Sequence, residues 1–208
     1  MLTRMPDADR LQAVRMLPLL EGGPADMALL RGRVHEVCGP ARRTLAAMAM
    51  GRVAAGTVLW ILPAWLAERP MPAGLQAFAD PGRLILVAAR RPEDILWAME
   101  EGLRAGAVPL VVAEVVALPS LTQMRRLQLA TEAGAAIAGR GPPPLGLVLT
   151  QGEGGAAGAE SRWHMAPAAD GGWLLDRPRA RAAMPVGWVL TRDGRGRIRA
   201  ARREGAVA

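Results

Sequence analysis

Arg33-Val34-His35-Glu36-Val37-Cys38-Gly39-Pro40-Ala41-Arg42-Arg43-Thr44-Leu45 decides how this chain is read. An apolar, strand-like run ends in Gly-Pro and is followed by residues that suit a helix. That is the setting of a phosphate-binding loop, which needs Gly-x-x-x-x-Gly-Lys-Ser/Thr because backbone N–H groups cradle the phosphates while a lysine reaches the β/γ oxygens. Here the segment after Pro40 is too short for the second glycine, and none of the 208 residues is lysine. The pattern predicts a nucleotide-binding type of fold that has lost its nucleotide chemistry.

Outward from this stretch, composition sets the bounds. With 208 residues, 51% of them hydrophobic, the chain is long enough for one substantial core, and a single α/β domain is expected. Lys, Asn and Tyr are absent while Ala, Gly, Arg and Pro abound, as in a GC-biased coding sequence, so the missing lysine is partly compositional. The single cysteine, Cys38, has no internal partner and suits a buried strand end. The first twenty residues mix Arg and Asp with apolar residues, unlike a secretory signal. The longest apolar stretch, 53–67, is broken by Gly56 and Pro63 and falls short of a membrane span. These features predict a cytoplasmic protein with no membrane contact. The net charge of +7 is uneven: residues 161–208 hold 10 Arg against 4 Asp and Glu, whereas residues 1–160 hold 16 against 15.

Five apolar runs, 34–38, 57–62, 83–88, 108–116 and 145–150, read as strands. Most lack the alternation of a half-exposed strand, which implies a mainly parallel sheet with helices on both faces. Helices are expected from 44 to 55, from 92 to 105, and from a Ser120/Gln123 capping box toward 137. In the second of these, Pro92 opens the first turn, Glu93 and Asp94 face the positive dipole end, Glu100 pairs with Arg104, and Gly106 is the stop. Residues 151–158 read as a flexible Gly/Ala loop. Three short β segments follow, and Asp193-Gly194 supplies hairpin-turn chemistry that leads into an antiparallel β ending. The expected division is an N-terminal segment 1–32, loosely packed; a core 33–190; and an Arg-rich hairpin or tail 191–208.

Three stretches in this order resemble the RecA-type recombinase core: the strand and Gly-Pro at 34–40, PEDILWAMEEGLRAGAVPLVVAEVVALP at 92–119, and LGLVLTQGEGGAAG at 145–158. The likeness covers roughly residues 32–190. More closely, GRVHEVCGPARRTLAA with LGLVLTQGEGGAAGAESRW resembles ImuA, the inducible mutagenesis protein A family, short RecA-like proteins sometimes described as SulA-like. This resemblance implies a RecA-like α/β fold and an accessory role in SOS-induced translesion DNA synthesis. Its partners would be ImuB, an inactive Y-family polymerase relative, together with RecA, an error-prone replicative polymerase paralogue and single-stranded DNA. The rival readings are a DNA-dependent ATPase or recombinase with a non-standard loop, and a SulA-like inhibitor of cell division.

Carried over residue by residue, the resemblance gives a vestigial nucleotide site of Gly39, Pro40, Arg42, Arg43, Thr44, Glu114 and Gln151. Glu114 falls where RecA-type proteins keep a Mg²⁺-holding carboxylate, and Gln151 near the sensor glutamine. Trp65 falls where the water-activating glutamate belongs, and Glu68 is three residues late. Without the lysine and that base, phosphoryl transfer lacks both its charge clamp and its water-positioning group, so no catalytic residue, metal or cofactor is expected.

Each candidate also has a plainer reading. Gly39-Pro40 can be a simple strand-to-helix turn, Arg42 and Arg43 solvated side chains, and Glu114 a hydrogen-bond partner for nearby backbone. His35 and His164 give no metal spacing with one cysteine. Ser161, His164 and Asp170 do not make a triad by proximity in sequence. Trp60, Trp65 and Trp97 read as core or interface. Trp163, Trp173 and Trp188 flank arginines and are either core or platforms for bases. Arg195, Arg197, Arg199, Arg202 and Arg203 are a candidate nucleic-acid surface, or else a solvated tail. Met48, Met50, Trp65, Met71, Leu75 and Phe78 either form a partner surface, with Trp65 and Phe78 at its centre, or fill the protein's own core.

Overall fold

A computed structural model describes residues 15–139 and 141–203. The elements run β1 (Met16–Pro18), β2 (Ala28–Leu30), β3 (Val34–Cys38), α1 (Arg42–Arg52), β4 (Val58–Pro63), α2 (Pro72–Leu75), β5 (Leu84–Ala89), α3 (Pro92–Arg104), β6 (Leu110–Glu114) and α4 (Leu121–Ala138). They continue with β7 (Leu145–Leu149), β8 (Ser161–Pro167), β9 (Trp173–Ala180), β10 (Val186–Arg192) and β11 (Ile198–Arg203). The protein is mixed α/β. Among the described residues nine strands form one sheet in the order β11-β10-β9-β8-β3-β7-β6-β4-β5, and the six strands β8, β3, β7, β6, β4 and β5 are parallel across five neighbouring pairs.

The five apolar runs are five of these parallel strands. β3, β4, β6 and β7 are covered on both faces, as continuous apolar sequence requires, whereas β5, at the sheet edge, departs from that expectation and leaves Ile85 and Leu86 exposed. Alternate residues divide between two cores. Trp60, Leu62, Val112, Leu147 and Leu149 face α1, whereas Ile61, Val111, Ala113 and Val148 face α3 and α4. α3 is built as its sequence indicates: Pro92 lies in the first turn, Ile95, Met99 and Leu103 are buried, and Glu100 pairs with Arg104. At α4 both halves of the capping box close, with Gln123 N–H donating to Ser120 Oγ at 3.3 Å and Ser120 N–H to Gln123 Oε1 at 2.8 Å. Such a cap satisfies two amides that would otherwise have no partner in the first turn.

Three expectations need correcting. Within 1–32, residues 15–32 are not loosely packed. β1 and β2 pair as an antiparallel hairpin, and Leu17, Leu19, Met27 and Leu29 close over α1 in the first core; residues 1–14 lie outside the described residues. Next, β8 is a sixth parallel strand beside β3, and only its other neighbour, β9, runs antiparallel. The β ending therefore continues the main sheet, and a boundary at 190/191 would cut β10. Finally, the 151–158 loop has a buried anchor. Glu36 Oε1 accepts from Thr150 Oγ1 (2.9 Å) and from the amides of Gly155 (2.7 Å) and Ala156 (2.9 Å), while Arg162 Nε bonds Oε2 at 2.6 Å. Gly154, at φ +75°, passes so close that a Cβ there would meet Glu36 Oε1 at 2.6 Å.

Among the described residues, no helix is long and apolar enough to cross a membrane.

Candidate functional site

The C-terminal ends of parallel strands are where open α/β sheets place ligands. At that edge the structure brings together the turn after β3, the start of α1, the last residue of β6 and the segment after β4. Gly39 adopts φ +86°, and a Cβ would meet Met165 O at 2.5 Å and His164 Nε2 at 2.7 Å, so only glycine fits against β8. The turn's donors are already engaged. Gly39 N–H donates to Gly152 O (3.0 Å), Ala41 N–H to Met165 O (2.9 Å) and Arg42 N–H to Gly39 O (3.2 Å). Arg42 Nη1 also donates to Gly39 O at 3.3 Å. A phosphate cradle needs such amides aimed outward at the ligand; here the protein's own carbonyls hold three of them.

Glu114 is buried at the end of β6 and is matched by side chains rather than by the backbone partners its plainer reading suggests. Arg43 Nε lies 2.9 and 3.1 Å from its two carboxylate oxygens, and Arg43 Nη2 is 2.8 Å from Oε2. Trp60 Nε1 donates to Oε1 at 2.9 Å from the neighbouring β4. This is a forked, charge-assisted pair with its remaining acceptor served by an indole. Arg43 continues outward to the Glu68 backbone oxygen (3.1 Å), with the Glu68 carboxylate 3.6 Å away and largely exposed. Thr44 and Arg43 line a shallow apolar depression with Met71, Leu75 and Phe78. Gln151 is exposed after β7, beside Val116 and Leu118.

These residues do not fit a magnesium-bound nucleotide. The carboxylate that would serve the metal holds an internal guanidinium, and the turn's amides are occupied. Trp65, which the resemblance would put at the water-activating position, is 55% exposed and carries no base.

The remaining candidates separate by environment. Trp60, Trp163 and Trp188 are fully buried, while Trp97 is exposed. Trp163 and Trp188 stack at 5.7 Å between centroids, with the Arg177 guanidinium over both rings at 5.4 and 5.8 Å. Burial pulls the Arg177 pKa below its usual value. Those two indoles are core, and no base can stack on them. Of the apolar set proposed as a partner surface, Met48, Met50 and Leu75 are buried. Phe78 packs edge-on against Trp173 at 6.0 Å, which removes it from the centre of such a surface. Trp65 and Met71, the latter 68% exposed, remain outside.

The C-terminal arginines do not form a free tail. Arg203 grips Asp176 at 2.6 and 2.8 Å and Arg202 pairs with Asp26. Arg197 and Arg199 share Asp193 at 3.0 and 3.4 Å, and Arg195 is exposed in the turn.

Sequence reading missed two polar centres. One is Glu36, described above. The other is His35, whose Nδ1 is 2.6 Å from Ser161 Oγ and whose Nε2 is 2.9 Å from Leu30 O. Trp163 Nε1 donates to the same Ser161 oxygen at 2.7 Å, so Ser161 belongs to this network and not to His164 and Asp170. Burial lowers the His35 pKa to about 4, keeping the ring neutral. Burial likewise raises the Cys38 thiol to about 12, reinforced by Glu36. The sequence signal for both centres was a His-Glu pair inside an otherwise apolar strand, since buried polar groups demand partners.

No protein-family model matches this chain, and no curated protein matches its sequence.

Proposed function

We propose that this protein is a non-catalytic, RecA-like accessory factor of the ImuA type in SOS-induced error-prone translesion DNA synthesis, working through contacts with an ImuB-type polymerase relative. The observation that carries this reading is the fork between Arg43 and Glu114. A chain that hydrolyses nucleotide keeps its strand-end carboxylate open for a metal, whereas this carboxylate is closed by the chain's own cation. The occupied amides at Gly39 and Ala41 support the same reading, and recognition is then the work left to the fold.

Two measurements test it. Calorimetric titration with ATP and Mg²⁺ is expected to show no tight binding, and co-purification is expected to retain an ImuB-type protein. Trp65→Glu with Met71→Glu, both exposed positions, is expected to abolish that retention without unfolding the chain. ATP turnover lost in Glu114→Ala would refute the reading in favour of an ATPase, and a wild-type protein that retains no translesion component would refute the accessory role.

A further inference from the structure

A cleft of about 590 Å³ opens where the turn after β1, the C-terminal end of α1 and the β10–β11 turn meet. Arg52, Arg192, Arg197 and Arg199 line it, with Glu21 as the one carboxylate in its lining among the described residues. Its apolar lining is Leu19, Leu20, Met48, Ala77, Phe78 and Ile198, most of them in or packed against the first core.

The guanidiniums are held in place without being neutralised. Asp193 alone serves both Arg197 (3.0 Å) and Arg199 (3.4 Å). Arg52 lies 3.5 Å from Glu21, an almost fully exposed carboxylate that screens it little. Arg192 donates to the Gly196 carbonyl at 3.1 Å and lies over the Phe78 and Trp173 rings at 5.2 and 5.3 Å; these contacts orient the group and leave its charge. Among the described residues, four cations thus face two carboxylates. Each contact engages one or two of the five N–H donors that a guanidinium offers. A rim of this kind matches phosphate oxygens bidentately, and a cleft of this volume falls in the range of small-molecule sites.

We propose that this cleft binds a nucleotide unit of single-stranded nucleic acid, with the phosphate on the arginine rim and the base against the apolar floor. The choice of ligand rests on the accessory-factor reading, while the charge and shape of the cleft stand apart from it. The floor separates this ligand from a run of acidic side chains: a base offers a flat apolar face to Leu20 and Ile198, and a glutamate side chain offers none. The site also redraws the expected basic surface. Arg197 and Arg199 stay in it, Arg52 and Arg192 join it, and Arg202 and Arg203 leave it for Asp26 and Asp176.

Fluorescence anisotropy of a labelled oligo-dT strand on the full chain tests the proposal. Arg197→Gln with Arg199→Gln is expected to weaken binding at least about tenfold and to lower the log–log salt slope by about 1.4, at roughly 0.7 per lost contact on a single strand. Arg90→Gln with Arg125→Gln removes the same charge from exposed sites elsewhere and is expected to leave affinity within about twofold. Thermal unfolding checks that both double variants fold. Equal weakening by the two pairs overturns the cleft, as does absence of strand binding by wild type at low salt. Displacement of the strand by polyglutamate at matched charge overturns the nucleic-acid assignment, and displacement by free thymidine monophosphate at matched nucleotide concentration overturns the single-strand assignment. Retention of the ImuB-type protein is read separately, so failure of that partner leaves these anisotropy results interpretable.

Discussion

Replacing Arg43 with methionine removes the cation from Glu114 and leaves a carboxylate that is 6% exposed with only the Trp60 indole as donor. Removing one partner of a buried ion pair costs about 3–5 kcal/mol. The Arg43 side chain is 27% exposed, so solvent already screens part of the attraction and the expected loss lies near the low end, about 3 kcal/mol. In a chain of this length that corresponds to a melting temperature lower by roughly 6–12 °C. The double variant Arg43→Met, Glu114→Gln places no charge in the site and keeps an acceptor for Trp60, so it is expected to recover more than half of the loss. Urea unfolding followed by circular dichroism measures both. A single variant destabilised by less than about 1 kcal/mol, or a double variant at least as unstable as the single, would show that the fork is not what holds β6, β4 and α1 together.

His35 makes the fold acid-sensitive in a defined window: the unfolded ring takes a proton below about 6.5 while the native ring resists until about 4. Its contribution to stability is therefore complete above pH 6.5 and declines by about 3 kcal/mol as pH falls to 4. The difference between wild type and His35→Gln should shrink accordingly in urea titrations at pH 7, 5 and 4, and a constant difference would exclude His35 as the cause. Glu36→Ala strips the acceptor from Thr150, Gly155 and Ala156 and leaves Arg162 unpaired. Faster proteolytic cleavage within 151–158, with at least about 3 kcal/mol lost, is the expected result, and unchanged cleavage would count against the anchor. Cys38, with its thiol raised to about 12, should react negligibly with iodoacetamide at pH 8 in the native protein and rapidly in urea; rapid native labelling would contradict its burial.

What the sequence could disclose followed the range of each interaction. Runs such as 58–63 and 145–149 announce buried strands because every residue must be apolar, and the Ser120/Gln123 box announces a helix start because its partners are three residues apart. β1 and β2 are three residues each and stay in place by packing on α1, a contact that no local pattern encodes. β8 alternates as a half-exposed strand does, so nothing in it indicates a parallel partner 126 positions away. At the candidate site Glu114 was recognised but its counter-ion was not. Arg43 lies 71 positions earlier, and an arginine just inside a helix reads as solvated until the strand end beneath it is seen. The arginines after 192 were legible as charge, but their pairing with Asp26 and Asp176 depends on sheet register.

The place of β8 has a consequence for how the chain is made. β3 emerges from the ribosome early, carrying a carboxylate that the finished fold buries completely at Glu36. Its guanidinium, Arg162, and the carbonyl of Met165 that receives the Ala41 amide come more than a hundred residues later. At translation rates of about 5–20 residues per second, that gap lasts on the order of ten seconds. Both strand neighbours of β3, β7 and β8, come from that later stretch, so Glu36 meanwhile lacks its guanidinium and the turn at Gly39 has no wall to close against. The N-terminal half is thus obliged to wait for the C-terminal half. The pairing that seals the turn after β3 must form over a long sequence separation, which makes it a slow step in acquiring the native sheet.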